Sequence, residues 1–490
     1  MSAPTYDRAE FAALQATLAD SWPQMTMRTT TGGPRTLVVL SSMSVEIPDY
    51  FDPLLTAYEE RYLCLVLILA RASNTRVVYL TSQPVLPRLL QYFLELMPGL
   101  DAEDLRRRLT VISVGDGSRR PLTAKVLERP RLLDRLRTLV HATEQALILP
   151  FVTTDLEARL SVELGIPVYG PDPALRHLGT KSGSRQVFAA AGVAHPAGCE
   201  GVRSLADVVA AADDVAARTG CSELMVKTDD NVSGFGNAVL SLGGGRTTER
   251  SVLALRPEQP GMTADGFLAM LEASGGIVEQ RVIGRRLTSP SVQLRSSPLG
   301  EVEVLSTHDQ VLGGANGQSY LGCRFPADPA YAQSLVAPAL AVGTALADRG
   351  VIGRFAVDFV TAEDENGTWH PYAVEINLRN GGTTHPMLTL QALTDGSYDV
   401  ASGSLLGKHY VATDHLEDPL FARLMPDDLL DVAEEHGLGW DPETGTGIAF
   451  HMASAIAVAG IVGVTSIGNS PAEADALYDG AKRALRHAAS

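Results

Sequence analysis

An α/β architecture opens this 490-residue chain, and three observations predict it. Short apolar runs separated by amphipathic helical stretches recur from Arg35 to about Pro171, the pattern of a parallel sheet covered on both faces. Turn formers cluster at Tyr169-Gly-Pro-Asp-Pro173 and mark a boundary. Beyond it, alternating strand-like runs dominate, so the chain reads as a Rossmann-like domain followed by an α+β region.

Residues 1–34 form an N-terminal segment, and 35–172 the first domain. Its strands are Thr36-Leu-Val-Val-Leu40, Arg76-Val-Val-Tyr-Leu80, Leu109-Thr-Val-Ile-Ser-Val114 and Ala146-Leu-Ile-Leu149, with helices expected over Tyr58 to Arg71, Leu122 to Val140 and Asp155 to Leu164. Leu40-Ser-Ser-Met-Ser44 stands where a G-x-G-x-x-G would follow the first strand, which argues against a dinucleotide site. Residues 173–285 carry a helix bearing Lys181, an Ala-rich helix from Leu205 to Arg218, and strands at Glu223 to Lys227, Val239 to Leu242 and Ile277 to Ile283. Residues 286–395 hold sheet-like runs at Ser291 to Leu294 and Val302 to Leu305, then Gly353 to Phe359 and Tyr372 to Asn377. A C-terminal extension, 396–490, adds acidic helices around Asp427 to His436 and a terminal helix, Pro471 to Ala488. Its uncharged stretch Ile448 to Gly468 is long enough to be weighed as a membrane span. Gly460, Gly463, His451 and Thr465 interrupt it, and two buried strands joined near Ala459-Gly460 are expected instead.

Lys plus Arg number 40 against 57 Asp plus Glu, a balance of −17 with no basic run, which argues against nucleic acid or an anionic membrane as partner. Cys64, Cys199, Cys221 and Cys323 lack C-x-x-C spacing and read as reduced thiols of a cytoplasmic protein. Asp7, Arg8, Glu10 and Asp20 leave no apolar signal core, so export is not expected.

The chemistry concentrates in Tyr372-Ala-Val-Glu-Ile-Asn-Leu-Arg-Asn-Gly-Gly382. Residues two apart on a strand share a face, which aligns Glu375, Asn377 and Arg379. If the strand carrying Asp358 is an antiparallel neighbour, two carboxylates and an amide oxygen make a pocket for a hard divalent cation such as magnesium. Upstream, Lys227 closes a strand, and the loop Asp229-Asp-Asn-Val-Ser-Gly-Phe-Gly-Asn237 follows it. There Gly234 and Gly236 let backbone N–H groups approach a phosphate while the lysine adds charge.

Taken in order, helix lysine, strand lysine, Gly-rich loop, Val-Glu-x-x-Val strand, Asp strand and Glu-x-Asn strand, the segment Tyr169 to Met387 resembles the ATP-grasp ligases. The preceding domain resembles their pre-ATP-grasp unit. The resemblance implies a two-lobed fold, 173–285 as the small lobe and 286–395 as the large one, and catalysis with ATP and two magnesium ions. By the same resemblance Lys181 and Lys227 contact the nucleotide, and Ser233, Gly234, Phe235 and Gly236 close over the triphosphate. Glu279, Gln280 and Val282 hold the adenine edge, Asp358, Glu375 and Asn377 ligate magnesium, and Arg379 steadies the transferring phosphoryl group. Two departures stand out. Ala356 replaces the arginine often found two residues before the metal Asp, with Arg354 nearby, and Gly284 to Pro290 leaves the ribose contact unassigned.

Ser306 to Leu312, Asn380-Gly-Gly-Thr-Thr-His-Pro386 and the C-terminal extension resemble the pheganomycin-type peptide ligases of antibiotic biosynthesis, which join an amino-acid carboxylate to a peptide amine. Arg295, Gln310, Asn380 and Thr383 are then expected at the substrates, and His308 and His385 are the titratable candidates for a base. The expected partners are small amino acids and peptides, and a homodimer is an admissible assembly. The rivals are an acid–thiol ligase of the same fold and a non-catalytic nucleotide-binding protein; the clustered acids favour catalysis.

Overall fold

A computed structural model describes residues 6–25, 33–45, 49–97, 101–230, 234–243 and 247–490. Four parallel strands, β1 (Arg35–Leu40), β2 (Thr75–Thr81), β3 (Leu109–Ser113) and β4 (Gln145–Pro150), stand in the order β3-β2-β1-β4. Each is short and apolar because helices cover both faces. The stretch expected as one helix from Leu122 to Val140 is two, Leu122–Leu127 and Pro130–Val140. Proline lacks an N–H and pushes its predecessor out of helical geometry, so it ends one helix and begins the next. The Tyr58 to Arg71 helix is also divided, with a 3-10 segment, Arg61–Leu67, at its centre whose residues are all buried.

The small lobe is an antiparallel sheet of β5 (Gly198–Val202), β6 (Glu223–Thr228), β7 (Asn237–Ser241), β8 (Arg256–Pro257) and β9 (Gly276–Gln280), in the order β5-β9-β6-β7-β8. The larger sheet has nine strands: β10 (Arg286–Thr288), β11 (Pro290–Ser296), β12 (Val302–Gly313), β13 (Ser319–Phe325), β14 (Gly353–Glu363), β15 (Trp369–Asn377), β16 (His409–Glu417), β17 (Gly447–His451) and β18 (Ile461–Gly468). The C-terminal strands belong to this sheet: β16 pairs with β13, β18 with β16, and β17 with β18. One core then joins Leu37 and Phe93 of the first domain to Phe450 and Leu485 of the C-terminal region.

The uncharged stretch does hold two strands, β17 and β18, but a short helix, Ala455–Ala459, lies between them, ended by Gly460 at φ +64°. Among the described residues, no helix is long and apolar enough to cross a membrane.

Candidate nucleotide and metal site

β14 and β15 are antiparallel neighbours in a register that sets Asp358 against Glu375 and Ala356 against Asn377. Asp358, Glu375, Asn377 and Arg379 then line one cavity of about 650 Å³ between the lobes. Asp358 accepts hydrogen bonds from Ser291 Oγ at 2.5 Å and Asn377 Nδ2 at 3.0 Å. Lys181, first residue of the Lys181–Ala190 helix, forms an ion pair with Glu375. Burial and then Glu375 push Asp358 up to about 6, whereas Glu375, which burial alone would raise, is held below the usual carboxylate range by Lys181. Two carboxylates and an amide thus meet with one lysine between them, and this hard-oxygen donor set fits Mg²⁺.

At the opposite wall Lys227 ends the inner run of β6, its Nζ 2.6 Å from Glu279 Oε1. Arg185 Nη1 holds the other oxygen of Glu279 at 3.0 Å. With 2 % of Glu279 exposed, its carboxylate is held between two cations and positions Lys227 at the cavity, which Glu279 also lines. The residues after it, Gln280, Arg281 and Val282, line the cavity. In the Gly-rich loop Gly234 adopts φ +80°, and a Cβ there would strike the Gln318 carbonyl oxygen, so only glycine fits this approach. Phe235 packs edge-on against Phe51 at 5.7 Å, and the Gly236 carbonyl accepts the Thr228 N–H at 2.9 Å. Ser233 lies outside the described residues.

Gln310 and Thr383 line the same cavity, whereas Arg295 and Asn380 line a second one, about 60 Å³, under the first domain. Arg379 lines both.

Both histidines expected as bases are displaced from the cavity. His308 is wholly buried on β12, its Nε2 2.6 Å from Tyr410 Oη and its ring beside Phe325. His385 is enclosed with Asp414 and His451; its Nε2 lies 3.0 Å from His451 Nε2, and His451 Nε2 lies 2.8 Å from Asp414 Oδ1. Arg61 Nη1 takes the other Asp414 oxygen at 2.9 Å. Burial pushes both His308 and His385 down to about 3, which makes them neutral core groups. Their titratable side chains drew the expectation; the inward-facing register of β12 at His308 and the buried face of the Thr384–Thr394 helix at His385 decide against it.

Sequence reasoning overlooked Ser291, which sits opposite Asp358 in the β11–β14 ladder and becomes visible only once that pairing is known. It also passed over Glu258, fully buried, whose carboxylate accepts the N–H groups of Asn316, Gln318 and Ser319 and so fixes the β12–β13 hairpin over the cavity. No local motif marks that role.

Comparison with known proteins agrees with this layout. Residues 69–166 match the pre ATP-grasp domain family, 262–401 the IQCH-like, ATP-grasp family, and 428–481 the PGM1 C-terminal domain family. The L-propargylglycine–L-glutamate ligase of Streptantibioticus cattleyicolor is 34% identical over 446 residues, covering 88% of this chain and 90% of that protein. IQ motif-containing protein H of Danio rerio is 26% identical over 361 residues, 63% of this chain but 34% of that longer protein. Among solved structures, an ADP complex of N5-carboxyaminoimidazole ribonucleotide synthetase shares the fold with a TM-score of 0.54 at 13% identity, covering 94% of this chain and 99% of that one. The biotin carboxylase domain of Hydrogenobacter thermophilus 2-oxoglutarate carboxylase gives 0.53 at 16% identity, covering 92% and 90%.

Proposed function

We propose, for a chain that belongs to the ATP-grasp ligases carrying a pre-ATP-grasp domain, that it joins the carboxylate of one amino acid to the amino group of a second amino acid or a peptide, cleaving ATP to ADP and phosphate. The observation that carries this reading is the convergence of Asp358, Glu375, Asn377 and Arg379 on one cavity whose far wall holds Lys227 and the Gly234 turn. The ligase of Streptantibioticus cattleyicolor supports the choice of amino acids as substrates, and the resemblance to pheganomycin-type ligases extends it to a peptide amine.

In the proposed reaction an oxygen of the acid substrate attacks the γ-phosphorus of ATP and ADP departs, leaving an acyl phosphate. The amine nitrogen then forms the C–N bond, the C–O bond to phosphate breaks, and the nitrogen loses a proton. Mg²⁺, when bound, offsets charge on the phosphate oxygens. Asp358, Glu375 and Asn377 would hold it; the hard-oxygen set suits a cation that keeps several waters. Lys227, fixed by Glu279, presents a positive charge to the nucleotide, and Arg379 presents another at the acyl end. With His308 and His385 enclosed in the core, the amine proton is assigned in this reading to the departing phosphate.

Incubating the protein with ATP, Mg²⁺ and paired amino acids and short peptides tests this. Stoichiometric ADP and a product weighing the sum of both substrates less water is the expected result; AMP in place of ADP would refute the acyl phosphate.

A further inference from the structure

In the ladder between β11 and β14, Arg295 stands opposite Arg354. Like charges in that position repel, and of the two only Arg295 has an ion pair among the described residues. Arg295 Nε lies 2.7 Å from Glu303 Oε2. Among the described residues Arg354 makes no ion pair and no side-chain hydrogen bond, while it lines the smaller cavity. Burial, then Arg295, oppose its charge. An unpaired guanidinium kept in such surroundings calls for an anion from outside.

The same cavity carries a second, independent anomaly. Asn380 spends its amide N–H on the Pro150 carbonyl at 2.9 Å and its backbone N–H on that of Phe151 at 3.0 Å, leaving a buried Oδ1 with no partner. Tyr62 Oη and Thr153 Oγ1, on the same walls, are likewise buried and unpartnered. Buried polar groups are ordinarily satisfied, so three orphans and the unpaired Arg354 around one cavity describe a missing polar ligand. One water needs about 10–15 Å³ of such space, so a cavity of about 60 Å³ admits a carboxylate with its first carbons.

Position supplies the ligand's orientation. Arg354, Ala356 and Asp358 share one face of β14, which puts Arg354 roughly 13 Å along the strand from the metal-site carboxylate. Arg379 lines both cavities, so its side chain stands where the two meet. We propose that the smaller cavity seats the amine-bearing amino acid, its carboxylate against Arg354 and its amino group toward Asn380 Oδ1 and the Arg379 side. The amine's direction rests on the ligase reading; the anion site stands on the cavity alone.

Calorimetry tests it, with the twenty proteinogenic amino acids as probes on the full-length protein and, for each that binds, its α-carboxamide. The free amino acid should bind about 20-fold more tightly than the carboxamide, in the range of a hydrogen bond to a charged group. Arg354→Met should erase that preference, and Arg354→Lys should restore part of it, with melting curves verifying that both variants fold. No amino acid bound in the millimolar range, or a preference retained in Arg354→Met, overturns the site. Hydroxamate formation, which needs no amino-acid nucleophile, reports the ligase reading separately. Arg354-dependent binding without any hydroxamate refutes the ligase and keeps the anion site, whereas hydroxamate with Arg354-independent binding does the reverse. Arg354-dependent affinity for the amino acid that itself yields hydroxamate overturns its assignment to the nucleophile.

Discussion

Two clusters of polar side chains stand on or against the same nine-stranded sheet, Asp358 with Glu375 and Asn377 on β14 and β15, and Asp414 with His451 and His385 around β16 and β17. The first lines a cavity of about 650 Å³; the second is closed, with 6 % of the Asp414 side chain exposed. Their electrostatics differ accordingly. Asp414, which burial would raise, is held well below the usual carboxylate range by Arg61 and the two imidazoles, so its demand for positive charge is met. Asp358 is raised to about 6 and leans on Glu375, so the open cluster still lacks positive charge. Access and unmet charge, more than residue type, separate a reactive site from a structural one.

The comparison breaks most easily at Glu375. Glu375→Gln should lower ligation by about 10³-fold in protein that still folds, because a neutral amide ligates magnesium poorly; loss of the Lys181 ion pair should lower its melting temperature as well. Steady-state ADP release with a melting curve checks both halves. Asp414→Asn should do the opposite: it strands Arg61 in the core and should cost about 3–5 kcal/mol of stability, read as a lower denaturant midpoint.

A smaller effect is expected at the cavity's nucleotide wall. Lys227→Ala should weaken ATP binding by about 10- to 100-fold in calorimetry, the value of losing a charged hydrogen bond, and an unchanged affinity would remove the lysine from the site.

Acid should weaken the packing around the two buried histidines progressively. His385 and His308 are held down to about 3, below the ordinary histidine value near 6.5, so between those values the unfolded chain binds more protons than the folded one. Stability from these rings is complete above about pH 6.5 and falls as pH drops toward 3, by up to about 1.4 kcal/mol per pH unit for each ring. Urea unfolding from pH 7 to 5 measures the slope, and His308→Phe should reduce it.

What was legible in the sequence follows the same division. The parallel first sheet and the Glu375, Asn377, Arg379 face are local facts of period and order, and the structure has both. His385 and Asp414 are 29 residues apart and His451 comes later still, so their enclosure depends on β16 and β17 joining the large-lobe sheet, which no window of sequence displays. Arg354 was visible as a displaced arginine, but that it has no ion pair among the described residues required knowing that Arg295 lies across the ladder and that Arg295, not Arg354, takes the hydrogen bond of Glu303. The break at Pro130 could have been taken from the chain, since proline fits the first turn of a helix and not its middle.

The central claim is that the open cluster activates a carboxylate through an acyl phosphate. Supplying ATP, Mg²⁺, hydroxylamine and a panel of amino acids and peptides puts it to the most direct test, because hydroxylamine intercepts the activated acyl group without a second substrate. The account predicts a hydroxamate from at least one acid with ADP formed in equal amount, and loss of both in Glu375→Gln. A hydroxamate accompanied by AMP, or no acid in the panel raising nucleotide cleavage above background, would contradict it.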